Sequence, residues 1–135
     1  MKTGRLSHTY KVLKSFWGIR IEITATVLTD TDRRSGRGGS GVEVKFSGSA
    51  AALPSQDRSE IASGLARCEA GIVDLVDEGR VVVDVERVSF VESDFQVEGL
   101  SVAMCRWAEA AFELTPRPIN ETFDRAANRY VFEWE

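Results

Sequence analysis

A chain of 135 residues, 43% hydrophobic and 28% charged, has the makeup of one globular domain spanning residues 1–135. It is long enough to bury about two thirds of the surface its unfolded form exposes. The net charge of −4 is unevenly spread: residues 1–48 carry nine basic against four acidic side chains, residues 49–135 eight against seventeen, which excludes a uniformly basic nucleic-acid binder but leaves room for one basic face.

No apolar run approaches the roughly 20 residues of a membrane helix. Lys2 and Arg5 are followed by polar residues rather than an apolar leader segment, so a cytoplasmic protein without membrane contact is expected. Residues 9–14 read as a short first strand, with Tyr10 and Val12 on one side. Phe16-Trp17-Gly18 follows, and glycine there permits a bend or bulge. Ile19, Ile21, Ile23, Ala25 and Val27 then alternate with Arg20, Glu22, Thr24 and Thr26, the pattern of a half-buried strand.

Residues 30–40 form a polar loop with Arg33, Arg34 and Arg37 among several glycines. A strand comes next, in which Val42, Val44 and Phe46 alternate with Glu43 and Lys45. With no Gly-Lys-Ser/Thr and no helix after it, the loop does not cradle phosphate in the manner of nucleotide enzymes. It is a solvated tip or a contact for an anionic partner.

Pro54 precedes a first helix, and Asp57 and Glu60 have capping-box spacing. Ile61, Leu65, Cys68, Ile72 and Val76 mark one face over five turns. Gly64 predicts close helix packing, and Gly71 a break, since Asp74, Asp77 and Glu78 oppose the dipole beyond it. A valine-rich strand follows (Val81, Val82, Val83, Val85), shifting phase at Glu86-Arg87 before Val88 and Phe90, as a β-bulge does. The second helix starts near Val97. It carries Leu100, Ala103, Met104, Trp107, Ala111 and Leu114 at helical spacing and stops before Pro116. Tyr130, Phe132 and Trp134 alternate near the end, a terminal strand expected to close a sheet edge.

The order strand, strand, helix, strand, helix, with an extra strand at each end, predicts an α+β fold. The simplest arrangement is a two-layer sandwich, a mostly antiparallel sheet with two helices side by side on one face. Cys68 and Cys105 read as two free buried thiols, the alternative being a packed pair able to oxidise.

Particular residues at the joints of this order resemble domain IV of elongation factor G and of the ribosomal protection proteins. The family's aromatic-glycine step before its long strand is matched by Trp17-Gly18 and Ile19 to Ile23, and its proline-spaced helix pattern by Pro54, Ile61, Gly64 and Leu65. Its Val-Asp-Val strand is matched by Val83-Asp84-Val85 with Val88 and Phe90, and its next helix entry by Phe95, Val97, Glu98, Ala103 and Met104. The similarity spans about residues 15–115. It implies the β-β-α-β-α fold with a left-handed crossover, against the general right-handed preference, and two loop tips that reach the decoding region of the ribosome. Residues 30–40 are taken as the equivalent of the first tip. The second, around residues 95–100, has Gln96 where the family has histidine and Leu100 at a serine position. No GTPase domain is expected within these residues, and GTP-driven translocation is not expected of them.

Chemistry finds little footing. The lone His8 is expected in a frayed, solvated terminus, and Asp84 and Glu86 alternate with buried valines and so point at solvent. No catalytic or metal-ligating residue and no cofactor are predicted, so the chain is expected not to be an enzyme. The reading favoured is a non-catalytic binding domain contacting RNA or the ribosome through Arg33, Arg34 and Arg37. The second is a protein-interaction or scaffold module, homodimeric in one version, using the sheet face or the terminal strand with Tyr130, Phe132 and Trp134. A small-molecule kinase-like enzyme ranks last.

Overall fold

The structure, a computed structural model, describes residues 4–30, 41–75 and 80–134. Four strands form the main sheet: β1 (Gly4–Leu13), β2 (Gly18–Asp30), β3 (Gly41–Phe46) and β4 (Arg80–Phe90), in the order β1-β2-β4-β3. β1–β2 and β2–β4 pair antiparallel, β3–β4 parallel. The inward residues are those that alternation selects: Ile19, Ile21, Ile23, Ala25 and Val27 on β2, with Val81, Val83 and Val85 on β4, all buried.

The phase shift in β4 is a bulge. Pairing passes from Thr24–Arg87 to Ala25–Val85, leaving Glu86 as the extra residue. β1 begins five residues before the predicted start, because its ladder with β2 runs from Gly4–Val27 to Leu13–Gly18. Polar pairs sustain that early part on the outer face, with the Ser7 and Thr24 hydroxyls 2.7 Å apart. His8 is therefore not in a frayed end. It sits half-buried opposite the buried Ile23.

The helices cover the inner face. The predicted five-turn helix is divided into α1 (Ser55–Ala66) and α2 (Glu69–Leu75), and the break falls at Arg67-Cys68 rather than at Gly71. Gly71 lies within α2, where Leu114 takes the space beside it. The Asp57–Glu60 capping box does not form: no side chain caps α1. Glu60 instead receives the Ser101 hydroxyl, at 2.7 Å on its carboxylate and 3.0 Å on its carbonyl.

α3 (Gly99–Phe112) corrects the expectation of a one-sided helix. Only Arg106 and Ala110 escape full burial, because β1, β2 and α1 all pack on it. It ends before the proline takes effect: Glu113 adopts the left-handed region (φ 55) and the Leu114 amide closes onto the Glu109 carbonyl.

The tail is also corrected. In place of one strand on the sheet edge it forms a hairpin, β5 (Ile119–Asp124) and β6 (Arg129–Trp134), as a separate two-stranded sheet. Tyr130 is buried, and Phe132 and Trp134 are partly buried against the core. The apolar side of β6 is thus spent on packing.

Candidate functional site

Arg33, Arg34 and Arg37 lie outside the described residues. The strands flanking them, β2 at Asp30 and β3 at Gly41, end beside Arg80. The stretch 91–98 leaves β4 at Phe90, about 33 Å away at roughly 3.3 Å per residue. The strand ends that flank residues 31–40 and the strand end that leads into 91–98 are therefore at opposite ends of the sheet. The segment that shares an end with 91–98 is the β1–β2 connection, residues 14–17.

That connection is clamped by the hairpin. The Tyr130 hydroxyl donates to the Trp17 carbonyl at 2.7 Å and accepts from the Lys14 amide at 2.9 Å. The Trp17 indole meets Phe123 and Tyr130 edge-on, at 5.8 and 5.1 Å, and its N–H donates to Asn128 at 3.0 Å. Gln96 fastens the 91–98 stretch to the Tyr130 backbone, while Glu98 and Arg129 form an ion pair. Tyr10 donates to Glu121; burial and that carboxylate push the Tyr10 hydroxyl well above its usual range.

On this braced base Phe16 stands 88% exposed, with Leu13 at 72% and Val91 at 61%. A large apolar side chain so exposed on a fixed backbone has no packing role. Lys11 and Arg20 are directly opposite each other across β1–β2, both exposed. Like charges in that relation repel. Neither they nor Lys14 forms an ion pair among the described residues. The 91–98 stretch at the same sheet end carries the acidic Glu92 and Asp94. Phe16 belongs to no strand alternation and no helical stripe; an aromatic outside any such pattern, beside a strand-opening Trp-Gly, is the signal the sequence carries for it.

The other acidic and titratable candidates are committed elsewhere. Glu86 pairs with Arg5 at 2.9 Å and accepts from Thr26, and the Arg5 hydrogen bond holds its carboxyl below the usual range. Asp84 accepts from Ser47 at 2.8 Å. Burial lowers the His8 imidazole from its usual value. Among the described residues no three His, Cys, Asp or Glu converge as a metal would need. A cleft of about 330 Å³ lies between α1, α3 and β6. Several of its side chains engage one another: Glu60 accepts from Ser101, Glu98 pairs with Arg129, and Arg67 lies 4.0 Å over the Trp134 ring.

Neither a known protein family nor a curated protein matches the chain. Among solved structures it is similar to a protein from Thermus thermophilus, with a TM-score of 0.52 and 14% identity over 98% of this chain. The chain spans 17% of that protein's length. The likeness is one of fold: an α+β sandwich with a mostly antiparallel sheet. No helix among the described residues is long and apolar enough to cross a membrane.

Proposed function

We propose that this chain is a non-catalytic macromolecule-binding domain that contacts single-stranded RNA, free or within a ribosome, through the sheet end carrying Phe16. The observation that carries the reading is Phe16, held 88% exposed beside Lys11, Lys14 and Arg20, cations with no ion pair among the described residues. A base stacks on an exposed ring at about 1–3 kcal/mol, while lysine and arginine neutralise phosphates. An anion between Lys11 and Arg20 offsets the repulsion the bare sheet bears. The resemblance to the translation-factor domain supports the same class of partner. Arg33, Arg34 and Arg37, in the sequence between β2 and β3, are proposed as a second basic contact.

Anisotropy titration with a short single-stranded RNA tests this. Phe16→Ala is expected to weaken binding by roughly five- to hundred-fold, and Lys11→Ala and Lys14→Ala each to lower the salt slope by about 0.7. Alanine at all three loop arginines distinguishes the two contacts. Absence of binding at about 100 mM salt, where screening is substantial, would sink the reading.

The second reading is a protein-interaction or self-association module, favoured by the apolar trio Leu13, Phe16 and Val91. Light scattering that shows a dimer dissociated by Phe16→Ala, with no RNA affinity, would establish it instead. The terminal strand no longer supports this version, because its aromatics face inward.

A further inference from the structure

Cys68 lies at the α1–α2 break and Cys105 in the middle of α3, 37 residues apart in sequence. Their sulfurs are 3.2 Å apart, and the Cys68 sulfur is also 3.8 Å from the Cys105 carbonyl oxygen. The approach is built in: Gly64 lets α1 rest on the Ser101 backbone, where a Cβ would overlap the carbonyl oxygen. Both thiols are free, Cys105 fully buried and Cys68 6% exposed. Cys105 also faces the Glu109 carboxylate at 3.7 Å. That carboxylate is held by Arg106 and by the Arg117 amide.

We propose that Cys68 and Cys105 are a reversible dithiol–disulfide site, closed by a small peroxide that reaches Cys68 first. The break places Cys68 in a turn rather than inside a helix, so it can move the ~1.2 Å that separates contact from a bond of about 2.05 Å. Either sulfur can donate to the other across this contact; with Cys105 as the donor, thiolate is favoured on Cys68 and disfavoured on Cys105. Cys68 is thus both the better nucleophile and the one solvent touches.

The balance is complete with peroxide as the only oxidant. The Cys68 sulfur attacks the O–O bond, keeping one oxygen as a sulfenic acid while the other leaves as water. The Cys105 sulfur then attacks the Cys68 sulfur, whose hydroxyl takes up the thiol proton and departs as a second water. The two sulfurs lose two electrons and the peroxide is reduced to water. An external dithiol reverses the step by exchange. The bond ties the helix break to α3 and closes a loop containing β4, which constrains the unfolded chain. This site is independent of RNA contact.

The full chain is treated with a stoichiometric amount of hydrogen peroxide, denatured, alkylated with iodoacetamide and weighed intact. The expected species is a monomer lighter by two hydrogens that takes no alkyl group, melts several degrees higher and returns to two alkylated thiols after dithiothreitol. Cys105→Ser is expected to leave a sulfenic acid on Cys68 that dimedone traps, and Cys68→Ser to leave Cys105 unmodified. Two alkylated thiols after peroxide, a disulfide-linked dimer, or dimedone labelling of Cys105 in the Cys68→Ser protein would overturn the proposal. The mass measurement uses the parent chain, so it stands even where a serine variant does not fold.

Discussion

Gln96 and Tyr130 hold each other by two hydrogen bonds: the Gln96 side-chain amide donates to the Tyr130 carbonyl and accepts from its amide, both at 2.7 Å. The side chain imitates one rung of a β-ladder and satisfies both backbone groups of a residue whose ring is buried. Tyr130 in turn clamps residues 14–17 through its hydroxyl. The 91–98 stretch, the hairpin and the β1–β2 connection are therefore one assembly. The Gln96 amide thus serves docking rather than outward contact.

Gln96→Ala leaves the Tyr130 N–H and C=O without protein partners, and each unpaired group costs about 1–3 kcal/mol where water cannot replace the bond. The urea midpoint is expected to fall accordingly. Gln96→Glu, which keeps the acceptor and loses the donor, should fall between. An alanine variant with an unchanged midpoint would show that the two bonds are replaced by solvent.

Gly64 and Gly71 respond in opposite directions to alanine. At Gly64 the new methyl overlaps the Ser101 backbone, which cannot rotate away, so Gly64→Ala is expected to lose about 1–3 kcal/mol or more by overpacking. At Gly71 the nearest atom is a Leu114 methyl at 3.3 Å, the movable end of a side chain. There the helix-propensity gain of up to about 1 kcal/mol is expected to prevail. Denaturant unfolding of both variants checks the pair; equal losses would refute the assignment of α1–α3 contact to Gly64.

What the sequence shows plainly is what period and turn chemistry encode. The β2 alternation, the bulge at Glu86 and the tight approach at Gly64 are local signals, and each stands where it was expected. What fails depends on contacts distant in sequence. The Asp57–Glu60 spacing predicts a cap, but Ser101 claims Glu60. Residues 117–118 and β5 carry weak alternation, so the hairpin that claims Tyr130 is not visible until its partner is placed. The candidate site depends on the same kind of contact: only the β1–β2–β4 register places residues 14–17 at the sheet end from which 91–98 departs.

His8 gives the protein a pH dependence that one substitution removes. Burial lowers its folded-state value below the ordinary 6.5, against a smaller opposing pull from Glu109. The unfolded state then binds the proton more tightly. Stability is fully present above the unfolded value of 6.5 and is lost as pH falls through the depressed folded value. The urea midpoint is expected to decline on going from neutral to mildly acidic pH, and His8→Gln to flatten that decline. Because His8 is the single histidine, a decline that survives in His8→Gln would assign it to carboxylates instead.

Tyr130→Phe separates the support of the tip from its contacts. The ring and its edge-on packing with Trp17 and Phe123 remain, while the hydroxyl bonds to Lys14 and Trp17 are lost, at about 0.5–1.5 kcal/mol each. Global stability is expected to fall modestly. The larger effect should be local: residues 14–17 gain amide exchange, and Phe16, no longer braced, pays ordering entropy on binding. RNA affinity is then expected to drop several-fold with an unchanged salt slope, because no cation has moved. A drop accompanied by a reduced slope would mean that Lys14 is displaced, and undiminished affinity would show that the clamp does not serve binding.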